Sequence, residues 1–492
     1  MTKKVIVIGS GLGGISAAIS MATEGYEVEL FEKNNKIGGK LNYLERDGFK
    51  FDLGPSIFTM PHIFNELFEK ANRNMEDYFE LISVEPHWRN FFEDGKTIDL
   101  IGSNKNDKFR GVNISDEDNR ELENFLTYSK KTYDLVEKGY FDKGLDTFWE
   151  NLNEYGVYTL LKDMNVLNSM DSKVKKYITN SYLRDIVNFF VKYVGSSPYQ
   201  SPSILNLLPY IQFRYGLWYV KGGMYNLAKG LEQLMRELEI TINLNTEVKS
   251  IIKDNNSVKG ILTDNNDKIT GDIVISNMEV IPTYKYLLNE DDRYLKKFNR
   301  FEPACSGLVI HIGVKKKYNI LAHHNFFFSK NPRKHFDDIF NKKKLPDDPT
   351  IYLVAPMRTD KSQGPEGYDN IKILPHIPYI QKDITEHDYM ILKEKIYDKL
   401  ERMGLKNLRE NIIFEEILNP YDIEKMYYSN KGSIYGVISD IKKNLALKAS
   451  KQSNKYKNLF FVGGSVNPGG GMPMTVLSGI NVKNKIVNIN KG

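Results

Sequence analysis

The stretch Lys3-Lys4-Val5-Ile6-Val7-Ile8-Gly9-Ser10-Gly11-Leu12-Gly13-Gly14-Ile15-Ser16-Ala17-Ala18 passes from a β-branched run through a glycine turn into small and apolar residues of helical character. Gly9, Gly11 and Gly14 satisfy G-x-G-x-x-G. Gly9 permits the sharp exit from a strand, Gly11 lets bare backbone touch a pyrophosphate, and Gly14 lets the helix sit close to a sheet. With Ser10, Leu12 and Gly13, they line a helix N-terminus whose free N–H groups and positive dipole end favour phosphate. A second strand, Tyr26 to Phe31, ends at Glu32, flanked by Lys33. A carboxylate there accepts from both ribose hydroxyls of an adenosine and repels a 2′-phosphate, which disfavours NADP. Strand, helix and strand in this order predict a βαβ unit, with parallel strands and a right-handed crossover.

Soon after Glu32 comes Ile37-Gly38-Gly39-Lys40. A second glycine pair with a cation adds donors toward a pyrophosphate and resembles the second fingerprint of two-dinucleotide-binding flavoproteins, so FAD is favoured over NAD. Lys40 keeps the charge of the arginine usual in that motif but lacks its bidentate fork. Near the other end, Phe460-Phe461-Val462-Gly463-Gly464-Ser465-Val466-Asn467-Pro468-Gly469-Gly470-Gly471-Met472-Pro473 predicts another strand, a glycine-dense loop and a helix start. Such a loop lets backbone approach a flat ring or a phosphate.

A βαβ unit at the start paired with this loop near the end resembles the carotenoid desaturase/oxygenase (phytoene desaturase) family of FAD proteins, which shares a fold with amine oxidases. The resemblance implies a Rossmann-type FAD-binding α/β domain interrupted by a substrate domain of β-sheet plus helices. It places Asp52-Leu53-Gly54-Pro55-Ser56 beside the isoalloxazine, with Gly54 and Pro55 as contacts. Trp218-Tyr219-Val220-Lys221-Gly222-Gly223-Met224 reopens the FAD domain, and the Val248 backbone meets the adenine. Gly463, Gly464, Ser465, Gly471 and Met472 form the flavin loop. Ser465 stands where many flavoproteins carry an acid that binds the ribityl chain. Four linking segments, 216–220, 276–287, 321–328 and 345–354, are similar to the oxygenase members that act on C30 carotenoids. That resemblance implies FAD-dependent oxidation of a terminal methyl group, through the alcohol, to an aldehyde in carotenoid biosynthesis. A desaturase that inserts double bonds with FAD shares the glycine motifs and is the alternative. A non-catalytic FAD- and polyene-binding protein is the second alternative.

The chain divides on this reading into 1–92, the first FAD-binding part; 93–219, a helical and membrane-associating substrate region; 220–300, the second FAD-binding part; 301–430, a substrate-binding sheet and helix; and 431–492, the last FAD-binding part. Helical spacing is visible at 119–128, 173–193, 224–239 and 386–403. Strands are expected at 240–244, 248–252, 258–263, 272–275, 307–314, 324–328, 350–354 and 458–462, and a last helix over 473–489.

At 492 residues the chain exceeds the roughly 250–300 residues of a single core. Lys and Arg total 68 against 63 Asp and Glu, a net charge of +5, which argues against nucleic acid as a partner. The chain holds 30 Tyr and 26 Phe, and aromatic walls suit large apolar ligands. Phe189, Phe190, Tyr193, Tyr210, Phe213, Tyr215, Trp218 and Tyr219 are candidate walls of a channel for an apolar polyene. A lipid-soluble substrate makes a membrane surface the expected second partner, met by amphipathic helices between Asp116 and Tyr215. Val5 to Ala22 is free of charge behind Lys3 and Lys4, as in a signal peptide, but its glycines oppose that reading. The expected location is cytoplasmic, peripheral on the inner face of the cell membrane. One cysteine, Cys305, excludes an intrachain disulfide and is expected as a packed thiol. His323-His324, on opposite faces of a β-rich run, make a poor chelate, so no metal site is expected. No G-x-S-x-G occurs. His87, Arg89 and Lys221 are possible pocket residues, but no side chain is assigned as catalytic.

Overall fold

The computed structural model describes residues 2–102, 108–112 and 114–491, and the side chain of Asp163 is left out. The expected helical region 93–219 therefore includes residues 103–107 and Asn113 outside the described set.

The opening stretch folds as the βαβ unit. Strands β1 (Lys4–Ile8) and β2 (Glu27–Phe31) flank helix α1 (Leu12–Ala22) and pair in parallel, Val5 opposite Val28. Three later strands complete the sheet: β3 (Thr241–Asn243), β4 (Ile273–Ser276) and β5 (Leu459–Phe461). Their order is β3-β2-β1-β4-β5, and every pairing is parallel. Parallel strands are covered on both faces, which is why β1, β4 and β5 read as unbroken apolar runs. Helix α2 (Tyr225–Glu237) follows the Gly222-Gly223 pair.

Helix α1 is buried along almost its whole length, packed on the sheet and on the last helix, α3 (Met472–Lys491). The two helices touch backbone to backbone. A Cβ on Gly479 would fall 2.6 Å from both the Ala17 amide nitrogen and Ser16 Oγ. Ser16 Oγ donates to the Val476 carbonyl at 2.7 Å. Small residues on α1 are thus a requirement of close helix approach, and they join the two ends of the sequence.

The second sheet has the path Ile412–Leu418, Val309–Val314, Asp369–Ile377, Ile351–Val354, His324–Phe327, Trp88–Phe91, Thr97–Leu100 and Phe109–Gly111, with Ser306–Gly307 added beside Asp369–Ile377. Along that path neighbours are antiparallel except for His324–Phe327 on Trp88–Phe91, which is parallel. This corrects the division at residue 92. Trp88–Phe91 belongs with the second sheet, and the expected helical region opens with two more of its strands. Their signal was masked because each is only three or four residues long, set among polar and charged neighbours.

Helices Asp116–Val136, Phe148–Tyr158, Met170–Tyr177, Ser181–Asn188 and Leu207–Tyr215 follow in that region, with shorter helical turns between them and the start of strand Trp218–Val220 at its end. The periodic run 173–193 is broken at Ile178–Asn180, where the Asn180 side chain accepts from Tyr182 N at 3.1 Å and starts a new helix. Among the described residues no helix is long and apolar enough to cross a membrane.

Gly479→Val places branched carbon against the backbone of α1. We expect it to lower stability by ~1–3 kcal/mol, read as a fall in the thermal unfolding midpoint; an unchanged midpoint contradicts the contact.

Candidate functional site

The turn after β1 is where four segments meet. Gly38 N donates to Ser10 O at 2.8 Å, so the second glycine pair docks on the first. A Cβ on Gly13 would lie 2.9 Å from both Gly463 N and Asn277 Oδ1, and one on Gly14 would lie 2.0 Å from Gly9 O. Gly11, the N-cap residue of α1, offers no side-chain cap of its own. Asn277, just after β4, accepts from Gly14 N through its Oδ1, while its own N–H donates to Ile8 O at 2.8 Å. Asn277 was not singled out in the sequence. It lies in a linking segment, and only the adjacency of β1 and β4 brings it to the turn.

Glu32, 5% exposed, accepts four hydrogen bonds. Ser10 N (2.9 Å) and Ser10 Oγ (2.7 Å) donate to one oxygen; Asn34 N (2.9 Å) and Asn34 Nδ2 (2.8 Å) donate to the other. The sequence-chosen residues thus separate by placement. Gly9, Gly11, Leu12, Gly13, Glu32, Lys33, Gly38, Gly39, Lys40, Gly54, Pro55, Val248, Gly463, Gly464, Gly471 and Met472 line one cavity. Ser10, Gly14 and Ser465 do not. Ser10 holds Glu32, Gly14 is pressed on Gly9, and Ser465 Oγ accepts from Val280 N at 3.1 Å. Lys40 Nζ donates to Ser433 O at 2.9 Å, and burial lowers its pKa. Lys33 Nζ donates to Lys425 O at 3.0 Å and lies 3.8 Å from the centre of the Tyr428 ring.

Asp52 ties the 52–56 segment to the 218–224 segment. It accepts from Met224 N at 2.8 Å and from Tyr219 OH at 3.2 Å. Burial raises its carboxyl to about 6, against the lowering effects of Lys372 and those hydrogen bonds. Lys372 donates to Gly54 O and to Ser56 Oγ, and burial lowers it to about 8.

The cavity has a volume of 1220 Å³, above the roughly 300–1,000 Å³ of ordinary ligand pockets. It continues from the glycine turns into the helical region, past Tyr193, Ile211 and Leu208 to Leu152, Phe148 and Leu167. Of the eight aromatic residues proposed as walls, Phe189 and Tyr193 line it. The others pack elsewhere; Phe190, for example, lies 4.2 Å from the Trp88 ring. Aliphatic side chains and Tyr140, Phe141 and Tyr155 make up much of the wall instead. At its inner end stand Lys192, Tyr352, His376 and Tyr435, with Lys372. Tyr193 OH donates to Gln212 Oε1 at 2.6 Å, and Gln212 Nε2 meets His87 Nδ1 at 3.3 Å. His87, lowered to about 4 by burial, therefore stands behind the lining. Arg89 pairs with Asp99 and Lys221 with Glu80, each at 2.8 Å, and neither lines the cavity. Cys305 is a buried thiol, with its pKa raised by burial. His323 Nδ1 meets Thr359 Oγ1 at 2.7 Å and His324 Nδ1 meets Tyr352 OH at 2.9 Å.

A parallel sheet with glycine turns at a helix start, a buried carboxylate after its second strand and a second sheet sharing one cavity is the architecture of a flavoprotein of the amine oxidase type. Residues 12–486 match the family of flavin containing amine oxidoreductases, and the chain belongs to it. It is 54% identical over 487 residues to 4,4′-diapolycopene oxygenase of Methylomonas sp., covering 99% of this chain and 98% of that one. It is 51% identical over 488 residues to 4,4′-diaponeurosporene oxygenase of Staphylococcus aureus (strain USA300), with the same coverage. Among solved structures, wild-type putrescine oxidase bound to putrescine aligns with a TM-score of 0.66 at 12% identity over 99% of both chains. Cyclohexylamine oxidase from Brevibacterium oxydans IH-35A aligns at 0.62 and 12% over 100% of both. These structures share the fold. The chain is a flavin-dependent oxidoreductase.

Asp52 yields a pH prediction. Its carboxyl titrates at 3.8 in the unfolded chain and about 6 in the folded one. Between those values the unfolded chain has lost a proton that the folded chain keeps, so this group's contribution to stability falls as pH rises through the window. The thermal midpoint of Asp52→Asn relative to the wild type should therefore rise from pH 3.8 to 6 and level off above. A flat or falling difference contradicts the burial of an ionised carboxylate.

Proposed function

We propose that this chain uses FAD to oxidise a terminal methyl group of a C30 carotenoid, of the 4,4′-diaponeurosporene type, to an aldehyde. The observation that carries the proposal is the single cavity that starts at the glycine turns and ends in an apolar mouth, large enough for a dinucleotide and a polyene together. Its companion is the near-full-length identity to two oxygenases with these substrates in their names.

The residues fit FAD. Backbone at Gly11, Gly13, Gly38, Gly39 and Gly463 would take the pyrophosphate, where a Cβ on Gly13 has no room. Glu32 would hold the ribose; of its four donors, the Ser10 hydroxyl and Asn34 amide are side-chain groups that ribose hydroxyls can replace, while two backbone N–H groups keep the carboxylate in place. Gly54, Pro55, Gly471 and Met472 would flank the ring. A bound flavin supplies two-electron acceptance, and the protein supplies position and exclusion of water. The aliphatic walls admit an uncharged chain and align it lengthwise, so that only its end reaches the polar inner residues. The assay is direct. Reconstituted with FAD and given 4,4′-diaponeurosporene in detergent micelles, the protein should yield the terminal aldehyde by chromatography and mass spectrometry. A longer chromophore without oxygen assigns the chain to desaturation, and unchanged pigment that co-purifies assigns it to binding.

The mouth supports a membrane surface as the source of substrate. Phe148, Val157, Leu161 and Leu167 line it while 46%, 59%, 49% and 64% exposed, and Trp149 beside them is 69% exposed. Apolar side chains clustered around an opening are a signature of an interaction surface rather than of scattered exposure, and an amphipathic helix in the headgroup layer would cover them. On this reading the chain docks peripherally, with the inner face of the cell membrane as the proposed location. The protein should float with liposomes, and the double variant Leu161→Glu, Leu167→Glu should stay in the soluble fraction with its flavin spectrum intact. Flotation of the variant equal to the wild type removes this surface from the account.

A further inference from the structure

Among the described residues, Lys192 meets aromatic rings and no carboxylate. It is 5% exposed and lines the inner end of the cavity. Its Nζ lies 4.7 Å from the centre of the Trp88 ring, 4.3 Å from Tyr193, 4.9 Å from Phe326 and 4.8 Å from Tyr352. Among the described residues no hydrogen bond or ion pair holds this nitrogen. Other buried lysines nearby are held by backbone or hydroxyl oxygen. Lys372 is tied to Gly54 and Ser56, Lys40 to Ser433, and Lys448 to Val437.

Burying an amine without a polar partner is far more costly as a cation than as a neutral group. Burial accordingly pushes the Lys192 pKa well below that of a free lysine. The titratable groups around it do not restore the charge: His324 and His376 are neutral from burial, and each feels Lys192 as an unfavourable neighbour. A neutral amine has a lone pair and is a nucleophile toward carbonyl carbon.

Its position matters as much as its state. The carbonyl of Tyr193, the next residue, lies 3.6 Å from where a Cβ on Gly471 would stand. Lys192 is therefore at the junction of the substrate region with the glycine loop, where the end of a threaded chain arrives. The four aromatic faces that surround the nitrogen also attract a cation, so they stabilise an iminium without a counter-ion.

Resting on the polyene reading above, we propose that Lys192 captures the terminal aldehyde of a conjugated polyene as an imine. The Nζ lone pair attacks the carbonyl carbon and forms a C–N bond. The two amine hydrogens leave with the carbonyl oxygen as water, and a C=N bond remains; hydrolysis reverses the step. No oxidant or reductant is consumed. Held this way, the aldehyde carbon is not hydrated, and the hydrate is the form from which a carboxylic acid is made.

All-trans-retinal, a conjugated aldehyde, is a suitable probe. The flavin-loaded full-length protein is titrated with retinal while the flavin absorbance is followed, then reduced with cyanoborohydride and mapped by peptide mass spectrometry. The expected result is a perturbed flavin spectrum and one retinyl adduct on Lys192, lost in Lys192→Met, a variant of similar length without the nitrogen. A perturbed spectrum with adducts confined to other lysines, or with equal labelling in Lys192→Met, overturns the imine and leaves the polyene reading standing. An unperturbed spectrum refutes the polyene reading and the imine with it. The wild-type peptide map decides the question even if the variant fails to fold.

Discussion

Backbone must touch backbone at the start of α1, and much of the architecture follows from that demand. The turn Gly9–Gly14, the pair Gly38-Gly39 and the turn after β5 come from three places in the sequence, and they meet with no room for a Cβ at Gly13 or Gly14. The meeting holds only if β1, β2, β4 and β5 are adjacent and parallel, and only if α3 can press on α1 at Gly479. The glycines are a set of mutual clearances. Asn277 completes them by accepting from Gly14 N, a donor that the helix start itself leaves without a partner.

The parts of the fold set by local pattern were legible. The βαβ unit, the last strand and its glycine loop, and the long helix Glu386–Arg402 each announce themselves within a short window. What depends on tertiary enclosure was not. A lysine such as Lys192 has the appearance of a solvated residue until the rings of Trp88, Phe326 and Tyr352, from three separate strands, close around it. Thr97–Leu100 is a strand because Trp88–Phe91 offers it an edge, and its four residues alone carry too little apolar signal. Ser465 was chosen because of the loop it sits in, but its hydroxyl faces the backbone of Val280. Six of the eight channel aromatics lie outside the cavity lining for the same reason: helical spacing identifies an apolar face without saying whether that face meets a core or a cavity.

The inner end of the cavity is polar, and burial favours the neutral forms of its basic groups. Among the lining residues it lowers His376 to about 3 and Lys372 to about 8. A low-dielectric wall penalises any charge that lacks a partner. The His376 imidazole is therefore neutral, while Lys372, still protonated near neutral pH, is tied to Gly54 O and Ser56 Oγ. That suits a hydrocarbon. A site holding unpaired charges would need water to solvate them, and water would compete with a polyene for the same space.

Strand β5 and the glycine turn that follows it lie near the far end of the sequence, while the turn they complete lies near its beginning. During synthesis on the ribosome the N-terminal βαβ unit emerges with its nucleotide cradle open on one side, and hundreds of residues of the second sheet and helices intervene before the missing wall arrives. Closure of the turn therefore waits on the segment around Met472. Flavin absorbance that stays with the protein is expected only of a polypeptide translated past Met472 and folded so that these distant segments meet.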